Sequence, residues 1–137
     1  MQLRFPIEKN LLVLFRFTKF LSRKFIKRSV TGARKFNRNR ELFQMAYQEG
    51  DYLWTHAGLL KPVLSDLLKH NPELKKLGNE GEILNEAFRM ELPQIFQVDG
   101  ASGGWSMYGG PLWVRPKQLQ EEGVDLHQIV GHTPVSA

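Results

Sequence analysis

The first pattern along the chain is an apolar residue at every third or fourth position across residues 7–28, which predicts an amphipathic helix. The apolar positions are Leu11, Leu14, Phe17, Leu21 and Phe25, and the opposite side carries Arg16, Lys19, Arg23 and Lys27. Such a helix either packs its apolar side on the rest of the protein or binds an anionic membrane or a phosphate backbone. The pattern favours the first interpretation, because every surface helix of a globular protein has an apolar side.

From residue 37 onward the apolar positions form shorter groups separated by glycine and proline. They predict, in chain order, a helix over 39–48, a buried strand at Tyr52–Thr55, helices over 61–70 and 80–90, and a strand over 128–130. Residues 99–110, rich in glycine and serine, are expected to form a long loop, and residues 111–116 an extended segment. Helices that alternate with short strands indicate a mixed α/β (α+β) fold.

Charge divides the same chain into two parts. Residues 1–40 carry a net charge of +11 and residues 41–137 a net charge of −6, so the 137 residues together carry +5. A basic segment of this kind either carries solvated surface charges or binds an anionic surface, a membrane or a nucleic acid. The sequence contains no cysteine, which excludes disulfides, thiolate zinc sites and a cysteine nucleophile. No apolar run is long enough for a membrane span or a secretory signal, so we expect a cytoplasmic protein.

Two of the four histidines lie where α/β sheets bind ligands. His56 and His132 each follow a short predicted strand, and each has a glycine within two residues. Ligands of open α/β sheets bind at the carboxyl ends of the strands, and two neutral imidazoles can share one metal ion. His70, at the polar end of a helix, and His127, before an apolar strand, are expected to be surface residues.

Three segments carry a resemblance to a known family. They read YLWTHAG over 52–58, GPLWVR over 110–115 and IVGHTPV over 129–135. In amino-acid sequence, order and spacing these segments resemble the motifs of the calcineurin-like metallophosphoesterases, most closely those of the bacterial and phage branch related to the serine/threonine protein phosphatases. The helix predicted over 39–48 is similar to the segment that precedes the first of these motifs in that branch. The resemblance covers residues 37–135.

The resemblance implies a four-layer α/β/β/α sandwich that holds two metal ions, usually manganese, iron or zinc. In that family the metals activate a hydroxide that attacks the phosphorus of a phosphomonoester, carried by a protein or a small molecule. The THAG-like and GHT-like histidines bind the second metal, which makes His56 and His132 candidate metal ligands. Arg115 either faces the phosphate or forms a structural salt bridge. Trp54 and Trp113 are expected to pack in the core.

The sequence also departs from the family. The DxH, GDxxDR and GNH(E/D) motifs that supply the other metal ligands are absent, no aspartate precedes Asp51, and no histidine precedes His56. We therefore expect residues 1–36 to be an unmatched basic leader and residues 37–137 a partial phosphoesterase domain with little or no phosphatase activity. The alternatives are a non-catalytic protein that binds an anionic surface through the leader, and an assembly in which a separate chain supplies the aspartates.

Overall fold

A computed structural model describes residues 43–132 of the chain. The helix predicted over 7–28, the basic leader over 1–36 and the last residues of the GHTP segment lie outside the described residues. Among the described residues, four α-helices and one three-stranded sheet confirm the mixed α/β class. No helix within residues 43–132 combines the length and the apolar character that crossing a membrane requires.

The sheet has the strand order β1-β2-β3. Strand β1 (Ala46–Glu49) and strand β2 (Tyr52–Thr55) form an antiparallel hairpin, and strand β3 (His127–Ile129) lies parallel to β2. The parallel pairing places the carboxyl ends of β2 and β3 side by side at one edge of the sheet. That edge carries the candidate site.

The helices within residues 43–132 lie between β2 and β3 in the sequence. They are α1 (Lys61–His70), α2 (Glu80–Arg89), α3 (Pro93–Phe96) and α4 (Pro116–Glu122), with short 3-10 helices at Pro72–Lys76 and Gly100–Ser102. Three of the four helices have proline in their first turn, where its fixed φ suits the helix and its missing N–H costs nothing. Helix α2 instead begins at Asn79, whose side chain accepts a hydrogen bond of 2.9 Å from the Glu82 N–H.

The two faces of the sheet have different neighbours. One face, with Leu53 and Thr55 buried, lies on the side where α2 packs against β1. The apolar side of α2 is the predicted one, and its buried residues are Ile83, Leu84, Ala87 and Phe88. The opposite face is aromatic: the rings of Tyr47 and Trp54 pair across β1 and β2 with centroids 5.5 Å apart. Trp54 is therefore only half-buried, not fully packed in a core as expected.

The helix predicted over 39–48 is wrong, because residues 46–48 belong to strand β1. The apolar residues of this segment satisfied a helical period, but Ala46 and Tyr47 also alternate between the two faces of a strand. Pairing with β2 supplies backbone hydrogen bonds and a Tyr47–Trp54 contact, which outweigh the local helix propensity. Residues 39–42 of the predicted helix lie outside the described residues.

The extended segment predicted over 111–116 is also wrong. Residues 111–113 form a turn, in which the Trp113 N–H donates to the Gly110 carbonyl at 2.7 Å, and Pro116 begins helix α4. The other elements are confirmed: the strand at Tyr52–Thr55, the first two helices, and a final strand that starts one residue earlier than predicted, at His127.

Candidate metal centre

The site lies just past the carboxyl ends of β2 and β3. Trp54 pairs with Ile129 in the parallel register, and two residues further on the Gly131 N–H donates to the His56 carbonyl at 3.0 Å. This hydrogen bond extends the pairing of the two strands beyond the sheet. It brings His132, the next residue, beside His56, from which it is separated by 76 positions in the sequence.

The two imidazole rings face each other through their nitrogens. His132 Nδ1 lies 2.6 Å from His56 Nε2, the ring centroids are 4.6 Å apart, and the ring planes are inclined by 80°. At this separation the N–H of one ring donates a hydrogen bond to the unprotonated nitrogen of the other ring. The Trp113 ring lies edge-on to His132 with centroids 6.1 Å apart. Trp113 is half-buried and, like Trp54, is not fully packed in the core as expected.

Both histidines are held in their neutral form. Burial, with a smaller contribution from charge repulsion by the neighbouring His132, lowers the pKa of His56 to about 4. Burial also lowers the pKa of His132, with a second contribution from the positive charge of Arg115. Neutral imidazole is the form that binds a metal ion and the form that accepts an N–H from another ring. At neutral pH the pair is therefore ready for either role.

The backbone around His56 is fixed by contacts with the other two motif segments. The Ala57 N–H donates to the Pro111 carbonyl at 3.0 Å, and Ala57 packs in a small apolar cluster with Leu60, Val63 and Val114. The three segments on which the family resemblance rests thus come together around one site. The structure brings the two predicted metal ligands into direct contact.

A glutamine that the sequence reasoning missed supports the same loop. The Gln128 side chain accepts a hydrogen bond from the Leu59 N–H at 2.7 Å and donates one to the Leu59 carbonyl at 3.0 Å. It thus pairs with Leu59 as a strand backbone would. Its position in a strand, between His127 and Ile129, gives no signal of this role, because the partner lies 69 residues away.

Arg115 is near the pair but directs its hydrogen bonds elsewhere. Its Nε donates to Ser102 Oγ at 3.0 Å and its Nη2 to the Ala101 carbonyl at 3.1 Å. Its Nε also lies 3.8 Å from Oδ2 of Asp99, a carboxylate that is fully buried. Arg115 therefore anchors the loop before it, while its charge reaches His132. A phosphate-contacting role for Arg115 stays a prediction.

The other two histidines lie at the surface, as predicted. His127 is exposed and stacks on Tyr52 with ring centroids 4.9 Å apart. His70 ends α1 and is exposed, with Nδ1 at 3.0 Å from the Asp66 carbonyl and 3.2 Å from Asp66 Oδ1.

The two imidazole nitrogens are donor atoms of the kind that binds a divalent metal ion. The distance between them, however, is too short for two ligands of one ion. Two nitrogens on one tetrahedral zinc ion lie about 3.3 Å apart, given Zn–N bonds of roughly 2.0–2.1 Å. The separation of 2.6 Å between the rings is that of a hydrogen bond, so metal binding requires the rings to move apart by about 0.7 Å. Within residues 43–132 no group of three or more histidine, aspartate or glutamate side chains is placed to hold a metal.

Comparisons of the chain with protein-family models, with curated proteins and with solved structures found no match. The structure itself defines a pair of neutral histidines at the carboxyl edge of a mixed α/β sheet.

Proposed function

We propose that this chain carries part of a metal-dependent phosphoesterase site, in which His56 and His132 are two ligands of one divalent ion. The ion would be manganese, iron or zinc, and the substrate a phosphomonoester on a protein or a small molecule. Arg115 would contact the phosphate. The observation that carries the proposal is the 2.6 Å approach of His132 Nδ1 to His56 Nε2 at adjacent strand ends.

The residues of the chain have separate tasks in this proposal. His56 and His132 offer two uncharged nitrogen donors on one side of the site, since burial keeps both rings neutral. Gln128 and the Ala57–Pro111 hydrogen bond fix the backbone that carries His56. A bound divalent ion supplies a Lewis acid that polarises the phosphate and lowers the pKa of water. Arg115, which is always charged, favours an anion close to the same edge.

The proposal includes low activity for the chain on its own. Two imidazoles are fewer donors than the three that catalytic zinc sites take from the protein. The described residues provide no carboxylate cluster beside the pair, and the aspartate motifs of the family are absent from the sequence. Further ligands would come from water, from substrate, or from a separate chain. Turnover by this chain alone is therefore expected to be weak or absent.

The same resemblance leads us to propose that the sheet belongs to a four-layer sandwich. The face of the sheet away from α2 supports this, because Tyr52 is 49% exposed and Ile129 43% exposed there. In a sandwich a second sheet covers such a face, since large apolar side chains gain free energy when they leave water.

The test separates metal binding from catalysis. The full chain is titrated with Zn²⁺ and Mn²⁺ while the imidazole signals are followed by NMR, beside the variants His56→Ala and His132→Ala. His127→Ala is the matched control, because His127 is an exposed histidine of β3. We expect each site variant to weaken metal binding at least tenfold, and the control to bind as the wild type does. Metal binding that neither site variant weakens would contradict the proposal.

Activity is measured in the same samples with an aryl phosphate and manganese. We expect slow or undetectable turnover by the wild-type chain. Fast turnover that both His56→Ala and His132→Ala abolish would confirm the ligands but overturn the claim of low activity. Fast turnover that both variants retain would contradict the assignment of these ligands.

The basic leader favours a second candidate function. A net charge of +11 in residues 1–40 supports binding to an anionic membrane or nucleic acid without catalysis.

A further inference from the structure

A groove lies at the corner where helix α1 meets the short 3-10 helix at Pro72–Lys76. Its volume of about 510 Å³ falls within the roughly 300–1,000 Å³ of pockets that hold small ligands. The residues that line this corner groove are Ser65, Leu68, Lys69, Pro72 and Lys75. None of them belongs to the candidate metal centre, so the groove is a separate feature of the surface.

The spacing of these residues in the sequence places them along one side of the corner. Ser65, Leu68 and Lys69 are three and four positions apart, so they share one side of α1. Pro72 and Lys75 are three positions apart and share one side of the 3-10 helix, because side chains at this spacing align in such a helix. The groove therefore receives side chains from both helices.

Buried leucines and backbone hydrogen bonds hold the corner in place. Leu67 on α1 and Leu74 on the 3-10 helix are each 1% exposed. Between them, the N–H and the Nδ2 of Asn71 both donate to the Leu67 carbonyl at 3.0 Å, and the Leu74 N–H donates to the Asn71 carbonyl at 3.1 Å. The groove is therefore pre-formed, which lowers the entropic cost of binding a ligand in it.

The groove carries two positive charges that have no partner. Lys69 from α1 and Lys75 from the 3-10 helix are both exposed, and neither forms an ion pair with any described residue. No acidic side chain lines the groove. The carboxylate of Asp66, the acidic residue of α1, instead accepts a hydrogen bond from Gln94 Nε2 at 2.8 Å and lies 3.2 Å from His70 Nδ1. Both lysines are therefore available to an external anion.

The lining of the groove also has an apolar part, which restricts the kind of anion. Leu68 is half-buried, and together with Pro72 it supplies carbon surface beside the lysines. A nucleic acid gains affinity from many phosphates along an extended basic surface, and a bilayer is too broad to enter a concave groove of this volume. A short acidic peptide offers carboxylates to the lysines and an apolar side chain to Leu68 and Pro72.

We propose that the corner groove is a docking site for an acidic peptide segment of a partner protein. Carboxylates of the segment pair with Lys69 and Lys75, and an apolar side chain between them packs on Leu68 and Pro72. The inference does not depend on the proposed metal site, because no residue of that site contributes to the groove.

The test uses three capped five-residue peptides and the full chain, without added metal. The first peptide has two glutamates on each side of a central leucine, the second has glutamines in place of the glutamates, and the third has alanine in place of the leucine. The backbone amide signals of residues 65–75 are followed by NMR, which reports on the groove separately from the basic residues 1–40. We expect the first peptide to bind about fivefold more tightly than the second and about threefold more tightly than the third.

Variants of the groove locate the effect. The double variant Lys69→Gln, Lys75→Gln is expected to bind the glutamate and glutamine peptides with about equal affinity, and since both lysines are exposed it should remain folded. Lys76→Gln is the matched control, because Lys76 is an exposed lysine of the same 3-10 helix that does not line the groove. Leu68→Ala should remove most of the preference for leucine over alanine in the peptide.

Several results would overturn the inference. Equal affinity of the wild type for the glutamate and glutamine peptides would do so, as would a preference that survives in the double lysine variant. A loss in Lys76→Gln as large as in the double variant would mean that only the general charge of the surface matters. Amide signals of residues 65–75 that no peptide shifts, or that anionic vesicles or duplex DNA shift more than the acidic peptide does, would also contradict the proposal.

Discussion

His56 and His132 donate and accept a single hydrogen bond at 2.6 Å, although 76 positions separate them in the sequence. Their rings meet at 80°, which is compatible with the N–H of one ring pointing at the nitrogen lone pair of the other. The contact depends on at least one ring being uncharged, because two imidazolium ions have only donors and repel each other. Protonation, metal binding and the hydrogen bond therefore compete for the same two nitrogens.

The first prediction concerns acid stability. The pKa of His56 is about 4 in the folded protein and about 6.5 in an unfolded chain, because burial disfavours the charged ring. Between these values the unfolded chain binds more protons than the folded one, so the free energy of unfolding falls as the pH falls from about 6.5 to about 4. Above pH 6.5 the contribution of His56 is fully present.

The measurement is urea unfolding of the full chain at several pH values between 7.5 and 4.5, a window on the order of the pKa shift. His56→Gln, which does not titrate, is expected to lose less free energy of unfolding over this window than the wild type. His127→Gln removes an exposed histidine and should follow the wild-type curve. Equal pH dependence of the wild type and His56→Gln would contradict the lowered pKa.

The second prediction concerns Gly58, two residues after His56. Its φ of +126° is rarely adopted by residues with a side chain, and an added Cβ would lie 2.6 Å from Leu119 Cδ1. Gly58→Ala is therefore expected to destabilise the protein by roughly 1–3 kcal/mol and to displace the backbone that carries His56. Gly100→Ala is the matched control, because no atom lies within 4 Å of its added Cβ.

Urea unfolding and the metal titration measure the two effects of Gly58→Ala separately. We expect both the midpoint and the metal affinity to fall for Gly58→Ala and neither to change much for Gly100→Ala. A Gly58→Ala protein with wild-type stability would mean that Leu119 and the backbone adapt without cost.

The third prediction concerns the basic leader, through which the alternative function would operate. The full chain is expected to bind anionic vesicles or duplex nucleic acid at low salt and to lose binding steeply as salt is raised, because screening weakens charge attraction. A variant with half of the lysines and arginines of residues 1–40 changed to glutamine should show a shallower salt dependence. Absence of retention on either surface at low salt would remove this alternative.

The parts of the fold predicted from the sequence are those that local periodicity determines. Helix α2 was predicted with its buried side because Ile83, Leu84 and Phe88 recur at helical spacing. The approach of His56 to His132 was predicted from a general rule about strand ends and from the family resemblance. The rule predicts that ligands bind at the carboxyl ends of strands, but it does not predict which strands are neighbours. The pairing of β2 with β3 is known only from the structure.

The parts that sequence reasoning missed depend on distant partners or on weak periodicity. Helix α4 has seven residues and none of them is buried, so it has no apolar side to detect. In the sequence, Gln128 is a polar residue in a strand, and its role comes from its contact with Leu59. Asp99 is a carboxylate before a loop, and its role comes from its contact with Ser102. The local pattern predicts a helix in place of strand β1, because it contains no information about the contact of Tyr47 with Trp54 on the neighbouring strand.

The fourth prediction tests what holds strand β1 in place. Asn85, on α2, accepts hydrogen bonds from the Met45 N–H at 2.7 Å and the Ala46 N–H at 3.1 Å, and it donates to the Ala46 carbonyl at 2.9 Å. One side chain thus satisfies three backbone groups at the start of β1. Asn85→Ala is expected to lower the free energy of unfolding by about 2–3 kcal/mol, because buried backbone groups lose their partners.

Asn85→Asp separates the acceptor bonds from the donor bond. The carboxylate keeps two acceptors for the Met45 and Ala46 N–H groups but places a negative oxygen against the Ala46 carbonyl. Its loss of stability in urea unfolding should therefore fall between those of the wild type and Asn85→Ala. Amide hydrogen exchange at Ala46 should quicken most in Asn85→Ala, because its N–H loses the side-chain acceptor. If Asn85→Ala unfolds at the wild-type urea concentration, β1 is held by its pairing with β2 and by Met45 burial, and the helix contact is dispensable.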